Sequence, residues 1–284
     1  MSSGFTGLIL LKIAKGETDV KKLLAVDYDN TLFQNGEIAK DTLNEIRKFR
    51  DDGNLFGIVS GRDYVTGYKT FRAENLFEFD FLLLKTGAMA VDVDGNVIYD
   101  DTFDGGMPWG EGTLASEVIR LSFEMGAPFV TTSAGKDRRY YYSQYPNGME
   151  REIRQPRPHS EIAVIGDIGL MSTICKDEES ATLITEKLKR EFGTVLNPLQ
   201  NGIAIDISKA GVDKGTGIQK FAEYTGISFE NIWVAGDNYN DIAMLEMFHS
   251  CAMTNGVAEA KNKAEYVCDT VGDVIRIIRE KSTV

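Results

Sequence analysis

The sequence predicts an α/β protein: a Rossmann-like parallel-sheet core interrupted by an inserted α+β domain. Three observations carry this expectation. Short apolar runs at residues 23–26, 55–59, 79–84 and 231–235 read as strands buried on both faces, which lose the polar–apolar alternation of half-exposed strands. Stretches with helical spacing of apolar residues separate them. From residue 89 to 207 the pattern changes to alternating, hairpin-like segments before the core pattern resumes. The expected division is an N-terminal extension at 1–21, a core from 22–88 and 208–284, and an insertion at 89–207.

Within the extension, Gly7 to Leu11 is the only apolar run. It is too short to span a bilayer, and no basic region precedes it, so a secretory signal is not expected. In the core, Leu43, Ile46 and Phe49 recur at spacings of three and predict a helix from Ile38 to Arg50, closed by Gly53. A second helix is expected to run to about Leu76, and the third strand ends in Thr86-Gly87-Ala88. In the insertion, Val91 to Tyr99 alternates around Asp94-Gly95-Asn96 and reads as a β-hairpin. It continues with a helix from Gly112 to Met125, a strand at Arg138–Tyr142 and a proline-rich loop from Ile153 to His159. Two apolar runs within Ile162 to Ile174, a helix from Glu178 to Phe192 and a strand from Gln200 to Ile207 complete it. The core then resumes with a helix from Asp213 to Tyr224, the fourth buried strand, and a helix from Ile242 to Phe248. Strands at Ser250–Met253 and Tyr266–Cys268 and a closing helix at Asp273–Glu280 follow.

The charge balance excludes several partners. The 284 residues carry 43 acids against 31 bases, a net charge of −12. Nucleic acid and anionic membranes are not expected partners, because phosphate contacts need many Lys and Arg residues. An anionic substrate would need positive charge local to its site. Cys175, Cys251 and Cys268 are scattered, as expected of reduced thiols in a cytoplasmic protein rather than a disulfide framework. His159 and His249 are the only histidines, so no zinc pattern exists.

The chemistry gathers where strands end. Asp27 and Asp29 follow the first strand, Ser60 and Gly61 the second, and Asp237, Asn240 and Asp241 the fourth, while Lys214 opens a helix. In an open parallel sheet the carboxyl ends of the strands form the ligand crevice, so these clusters converge on one edge. Asp27, Asp29 and Asp237 together require a cation, and an oxygen-only ligand set without His or Cys points to Mg²⁺. The Ser60 hydroxyl, the Gly61 backbone N–H and the Lys214 ammonium suit a phosphoryl group. One carboxylate can attack phosphorus while its neighbour manages the proton. Taken singly, each residue has a plainer reading: Ser60 as a helix cap, Asp237 as an acid at a helix N-terminus, Lys214 as a surface lysine. Their joint occurrence at strand ends favours the site.

These stretches resemble the haloacid dehalogenase-like hydrolases. Asp27-Tyr28-Asp29-Asn30-Thr31 is similar to their D-x-D-x-T signature, and Val59-Ser60-Gly61-Arg62 to their second motif, with Ser where Thr is common. Lys214 resembles the third motif, and Gly236-Asp237-Asn238-Tyr239-Asn240-Asp241 the G-D-x-x-N-D fourth. The insertion resembles the α/β cap of the Cof-type (type IIB) sugar-phosphate phosphatases. Thr254-Asn255-Gly256 is similar to that branch's M-x-N-A stretch, with Gly256 where alanine is usual. The resemblance implies a Mg²⁺-dependent phosphatase acting on a small phosphorylated metabolite, with a cap that covers the site and selects the leaving group. It implies Asp27 as nucleophile and Asp29 as general acid and base, the latter entering the reaction protonated. The metal ligands would be Asp27, the Asp29 carbonyl and Asp237, with Asp241 orienting a metal-bound water. Tyr28 (through its backbone N–H), Ser60, Gly61, Lys214 and Asn240 would hold phosphate oxygens. Arg138, Arg139 and Tyr141 have two readings, cap residues facing the substrate or an ordinary charged strand, of which the second is favoured and neither is assigned. A phosphomutase of the same superfamily and a non-catalytic sensor of a phosphorylated metabolite remain alternatives.

Overall fold

The computed structural model describes residues 22–73, 79–143 and 166–282. The N-terminal extension, the end of the second expected helix and the proline-rich loop with His159 lie outside the described residues. The chain divides into two compact units, one formed by Met1–Arg62, Thr66–Tyr99 and Asp213–Val284, the other by Asp63–Val65 and Asp100–Val212.

The first unit begins with β1 (Leu23–Val26), α1 (Lys40–Asp51), β2 (Leu55–Val59), α2 (Tyr68–Ala73), β3 (Phe81–Leu84), β4 (Met89–Asp92) and β5 (Val97–Asp100). All four β1 residues are fully buried. Removing a Leu or Val side chain from water contributes about 1.5–3 kcal/mol, which is why so short a strand holds the centre of the sheet. Ile46 and Phe49 of α1 are buried as the three-residue spacing requires, and Gly53 closes the helix in the left-handed conformation at φ 87°.

The second unit contains β6 (Pro108–Trp109), β7 (Gly112–Thr113), α3 (Leu114–Glu124), β8 (Phe129–Ala134), β9 (Arg138–Ser143), β10 (Ile168–Ile174), α4 (Glu178–Phe192), β11 (Leu196–Asn201) and β12 (Ala204–Lys209). The last five strands make an antiparallel sheet in the order β11-β12-β10-β8-β9. Val118 and Ile119 of α3 and Ile184 and Leu188 of α4 share one apolar cluster with Val130, Met171, Ile205 and Ile207 of that sheet.

The chain returns to the first unit with α5 (Lys214–Thr225), β13 (Ile232–Gly236), α6 (Ile242–Met247), β14 (His249–Met253), α7 (Ala258–Lys263), β15 (Tyr266–Cys268) and α8 (Val271–Ser282). The complete sheet runs β15-β14-β13-β1-β2-β3-β4-β5. Every pairing from β15 to β3 is parallel, and β4 pairs with β3 antiparallel.

Several sequence expectations change here. The hairpin at 91–99 forms, with its turn closed by the Asp92 carboxylate on the Asp94 and Asn96 amides, but its strands extend the core sheet. The core therefore continues to Tyr99 instead of stopping at residue 88, and resumes at Asp213 instead of 208. The segment expected as one strand at 200–207 is two strands around Gly202, whose φ of 58° turns the chain. Strand β8 was not expected, because Thr131-Thr132-Ser133 hides its apolar content.

The start of α5 positions the site lysine. The Asp213 carboxylate accepts the Thr216 amide (2.8 Å) and the Thr216 hydroxyl oxygen accepts the Asp213 amide (2.9 Å), a reciprocal cap. Asp213→Ala should lower the unfolding free energy by about 0.5–2 kcal/mol, measured by denaturant titration; an unchanged midpoint would contradict the capping role.

Candidate active site

Strands β13, β1 and β2 are immediate neighbours and parallel, so the three motif-bearing loops leave the sheet side by side. Adjacent strands lie about 4.8 Å apart, which brings side chains at their ends within direct reach. Asp27 is still in sheet register, its amide donating to the Ala235 carbonyl at 2.9 Å. The chain then turns sharply: the Leu32 amide reaches the Asp27 carbonyl, the Phe33 amide the Tyr28 carbonyl, and Asn30 takes φ 63°. Asparagine tolerates that left-handed conformation. Asn255 steadies the turn, its side-chain amide donating to the Asn30 carbonyl at 2.9 Å.

Lys214 is fully buried and joins two of the loops. Its ammonium lies 2.6 Å from Asp27 Oδ1 and 2.5 Å from Asp241 Oδ1. Burial opposes its charge, but the Asp241 and Asp27 carboxylates more than offset this and push its pKa above the ordinary lysine range. Asp241 Oδ2 accepts the amides of Asp237 (2.9 Å) and Asn238 (3.0 Å). Both Asp241 oxygens are thus engaged in holding Lys214 and the Asp237 turn. Gly236 is required for this fold-back: a Cβ there would sit 2.5 Å from Asp241 Cβ.

Asp237 Oδ1 accepts the Thr31 hydroxyl at 2.9 Å. Burial, with the Asp241 charge beside it, pushes its pKa up to about 6. Burial likewise raises the pKa of Asp27, reinforced by Asp241 and Asp237 and opposed by Lys214. Carboxylate oxygens of Asp27, Asp237 and Asp241 all lie within 4.8 Å of one another. Among the described residues Lys214 is the one ammonium bonded to this group, through Asp27 and Asp241, so the three acids, when ionised, carry with it a net formal charge of −2. The arrangement fits a divalent cation with oxygen ligands, since Asp27 and Asp237 each keep an oxygen that no hydrogen bond among the described residues occupies.

Ser60 is buried at the end of β2, and its hydroxyl oxygen accepts the Arg62 amide at 3.2 Å, leaving the O–H to donate elsewhere. Asn240 is also buried, and its Oδ1 has no hydrogen-bond partner among the described residues. Asp29 stands apart from the buried acids: its side chain is 56% exposed and is paired with Arg62. Arg138 pairs with Asp167, and Arg139 with Asp63 at 3.2 Å, both within the second unit. Three contributors were not assigned from the sequence, namely Thr31 on Asp237, Asn255 on the Asn30 turn and Arg62 on Asp29. Each lies inside a motif stretch already singled out, but its partner is distant in sequence.

Fold and site together define a Rossmann-like core whose candidate site residues follow adjacent parallel strands. The haloacid dehalogenase-like hydrolase family matches residues 24–275, and the chain belongs to that family. It is similar to a 5-amino-6-(5-phospho-D-ribitylamino)uracil phosphatase of Bacillus subtilis, with 25% identity over 91% of this chain and 96% of that protein. It is also similar to a phosphoglycolate phosphatase of Natronomonas pharaonis, with 24% identity over 87% of this chain and 90% of the relative. Among solved structures, a sugar phosphatase of subclass IIB shares the fold with a TM-score of 0.74 and 17% identity, over 90% of this chain and 98% of the other. A phosphatase of the same superfamily from Bacteroides thetaiotaomicron gives a TM-score of 0.69 and 20% identity, over 93% and 96%. No helix among the described residues is long and apolar enough to cross a membrane.

Proposed function

We propose that the protein is a Mg²⁺-dependent phosphatase of the Cof type that hydrolyses small phosphorylated metabolites, sugar phosphates foremost, through an aspartyl-phosphate. The observation that carries this reading is the buried Asp27–Lys214–Asp241 chain with Asp237 beside it. Asp27 attacks phosphorus while Asp29 gives its proton to the departing alkoxide; Asp29 then takes a proton from the water that hydrolyses the intermediate. Lys214 and the Ser60 hydroxyl hold phosphoryl oxygens, with the Gly61 and Tyr28 amides and Asn240 alongside. Asp27, Asp237 and the Asp29 carbonyl would hold Mg²⁺, with Asp241 behind them. When bound, the ion neutralises charge on the acids and on the phosphoryl oxygens. Positioning and charge neutralisation supply most of catalysis in phosphoryl transfer. We assign choice of leaving group to the inserted unit.

The test is phosphate release from a panel of sugar phosphates and other phosphate monoesters, with Mg²⁺ and after chelation. Turnover should vanish on chelation and return with Mg²⁺; turnover insensitive to chelator refutes the metal assignment. Stability carries a second signature. The Asp237 pKa is raised in the folded state, so the native protein binds more protons than the unfolded chain between its ordinary value and about 6. Metal-free protein should therefore lose stability as pH rises through about 6. Mg²⁺ requires the ionised acids, so it should raise the melting temperature more at about pH 7.5 than at about pH 5. Equal shifts at both pH values would count against these ligands.

A further inference from the structure

Arg62 closes the loop after β2, and its guanidinium forks onto Asp29, with Nη2 2.8 Å from Oδ1 and Nε 3.2 Å from Oδ2. The guanidinium carbon lies 5.1 Å from the Tyr28 ring centroid and 5.5 Å from that of Phe71. Those two rings pack at 4.4 Å, and Phe33 stacks against Tyr28 at 5.4 Å. The backbone is fixed as well, since the Arg62 amide donates to Ser60 Oγ and its carbonyl accepts the Lys85 amide at 2.8 Å. Arg62 is therefore a braced link between the phosphate-holding loop and the proton carrier. Cation–π contact with two rings and a bidentate fork restrict the guanidinium far more than a single surface ion pair would.

A fork of two N–H donors matches two acceptor oxygens. An ionised carboxylate offers both, whereas a carboxylic acid would set its own O–H against a donor. The fork holds both Asp29 oxygens and so fixes the side-chain rotamer, and the stage at which Asp29 works as a carboxylate is the second half-reaction. At that stage the same side chain must take a proton from water. We infer that Arg62 is a positioning residue for the second half-reaction, holding the Asp29 carboxylate in one rotamer for the water that hydrolyses the aspartyl-phosphate. In that step the water oxygen bonds to phosphorus, the bond from phosphorus to the Asp27 oxygen breaks, Asp27 leaves as a carboxylate, and the water proton passes to Asp29. The inference rests on the phosphatase reading above.

The experiment uses Arg62→Ala and p-nitrophenyl phosphate, whose leaving group departs without protonation, so the first half-reaction does not depend on Asp29. Arg62→Ala should show a burst of p-nitrophenol approaching one equivalent per active site. Steady-state turnover should then be roughly 10- to 100-fold below wild type, as expected for a misplaced general base. Acid-quenched variant should carry covalent phosphate. Arg62→Lys keeps the charge but not the fork, and should fall between the two. In an Asp29→Asn background, Arg62→Ala should cause no further loss, because the arginine acts through Asp29. The burst amplitude counts folded, competent sites and so separates misfolding from mispositioning. Slower turnover without phosphoenzyme, a raised KM at unchanged kcat, or losses that simply add to those of Asp29→Asn would each overturn the role. A wild-type protein that releases no phosphate from any ester would instead overturn the phosphatase reading itself.

Discussion

Asp27→Asn should abolish phosphate release while leaving the fold at least as stable as wild type. The amide is close to isosteric but is a poor nucleophile, so turnover should fall by roughly 10⁴-fold or more, in line with loss of a covalent nucleophile. The stability half of the expectation comes from the charges. Burial and the neighbouring acids Asp241 and Asp237 raise the Asp27 pKa, so its ionised form is held against repulsion. Removing that charge relieves the repulsion, and Lys214 keeps its bond to Asp241. Parallel measurement of phosphate release and thermal melting checks both halves. Near-normal turnover would end the nucleophile assignment, and a large drop in melting temperature would show that the Asp27–Lys214 pair holds the fold together.

Lys214→Met should have the opposite profile, losing activity and stability together. The substitution keeps an unbranched chain of similar length but removes the only ammonium bonded to Asp27 and Asp241 among the described residues. Removing one partner from a buried ion pair costs roughly 3–5 kcal/mol, because the remaining charge is left without compensation. Three clustered carboxylates remain, so the deficit should shrink when protonation neutralises them at low pH and when Mg²⁺ is added. Denaturant unfolding across that pH range, with and without Mg²⁺, is the measurement. A variant as stable as wild type at neutral pH without metal would show that the cluster is better solvated than its burial indicates. The contrast between the two variants matters more than either alone, since a site that only packed the core would respond to both in the same direction.

Much of this site is legible in the one-dimensional text. Strand ends are readable because apolar runs give way to polar residues at Asp27, at Ser60 and, after Gly236, at Asp237, and the carboxyl ends of neighbouring parallel strands form one crevice. Helix α4 matched its expected bounds because Asp177 caps it, apolar residues recur at helical spacing and Lys189 and Arg190 sit in its last turn. The hairpin at 91–99 was readable as a hairpin but not as part of the core, since turn chemistry is local and choice of sheet is not. Strand β8 was hidden because its three hydroxyl residues are buried by neighbouring strands and the rest of the fold, which no window of sequence displays.

The sequence by itself determined which residue types stand where: Asp27 and Asp29 two apart after an apolar run, Lys214 at the start of a helical stretch, and an oxygen-only set of candidate ligands. Only the tertiary structure decided which of them meet. Sheet order made β13, β1 and β2 neighbours, and this turned Lys214 from a lysine like any other into a buried link between Asp27 and Asp241. The same geometry sent Asp29 outward onto Arg62 while its neighbour two residues away went inward. The physical reason is that a carboxylate's role depends on what compensates its charge. Compensation comes from groups distant in sequence, which only the folded chain brings within hydrogen-bonding reach.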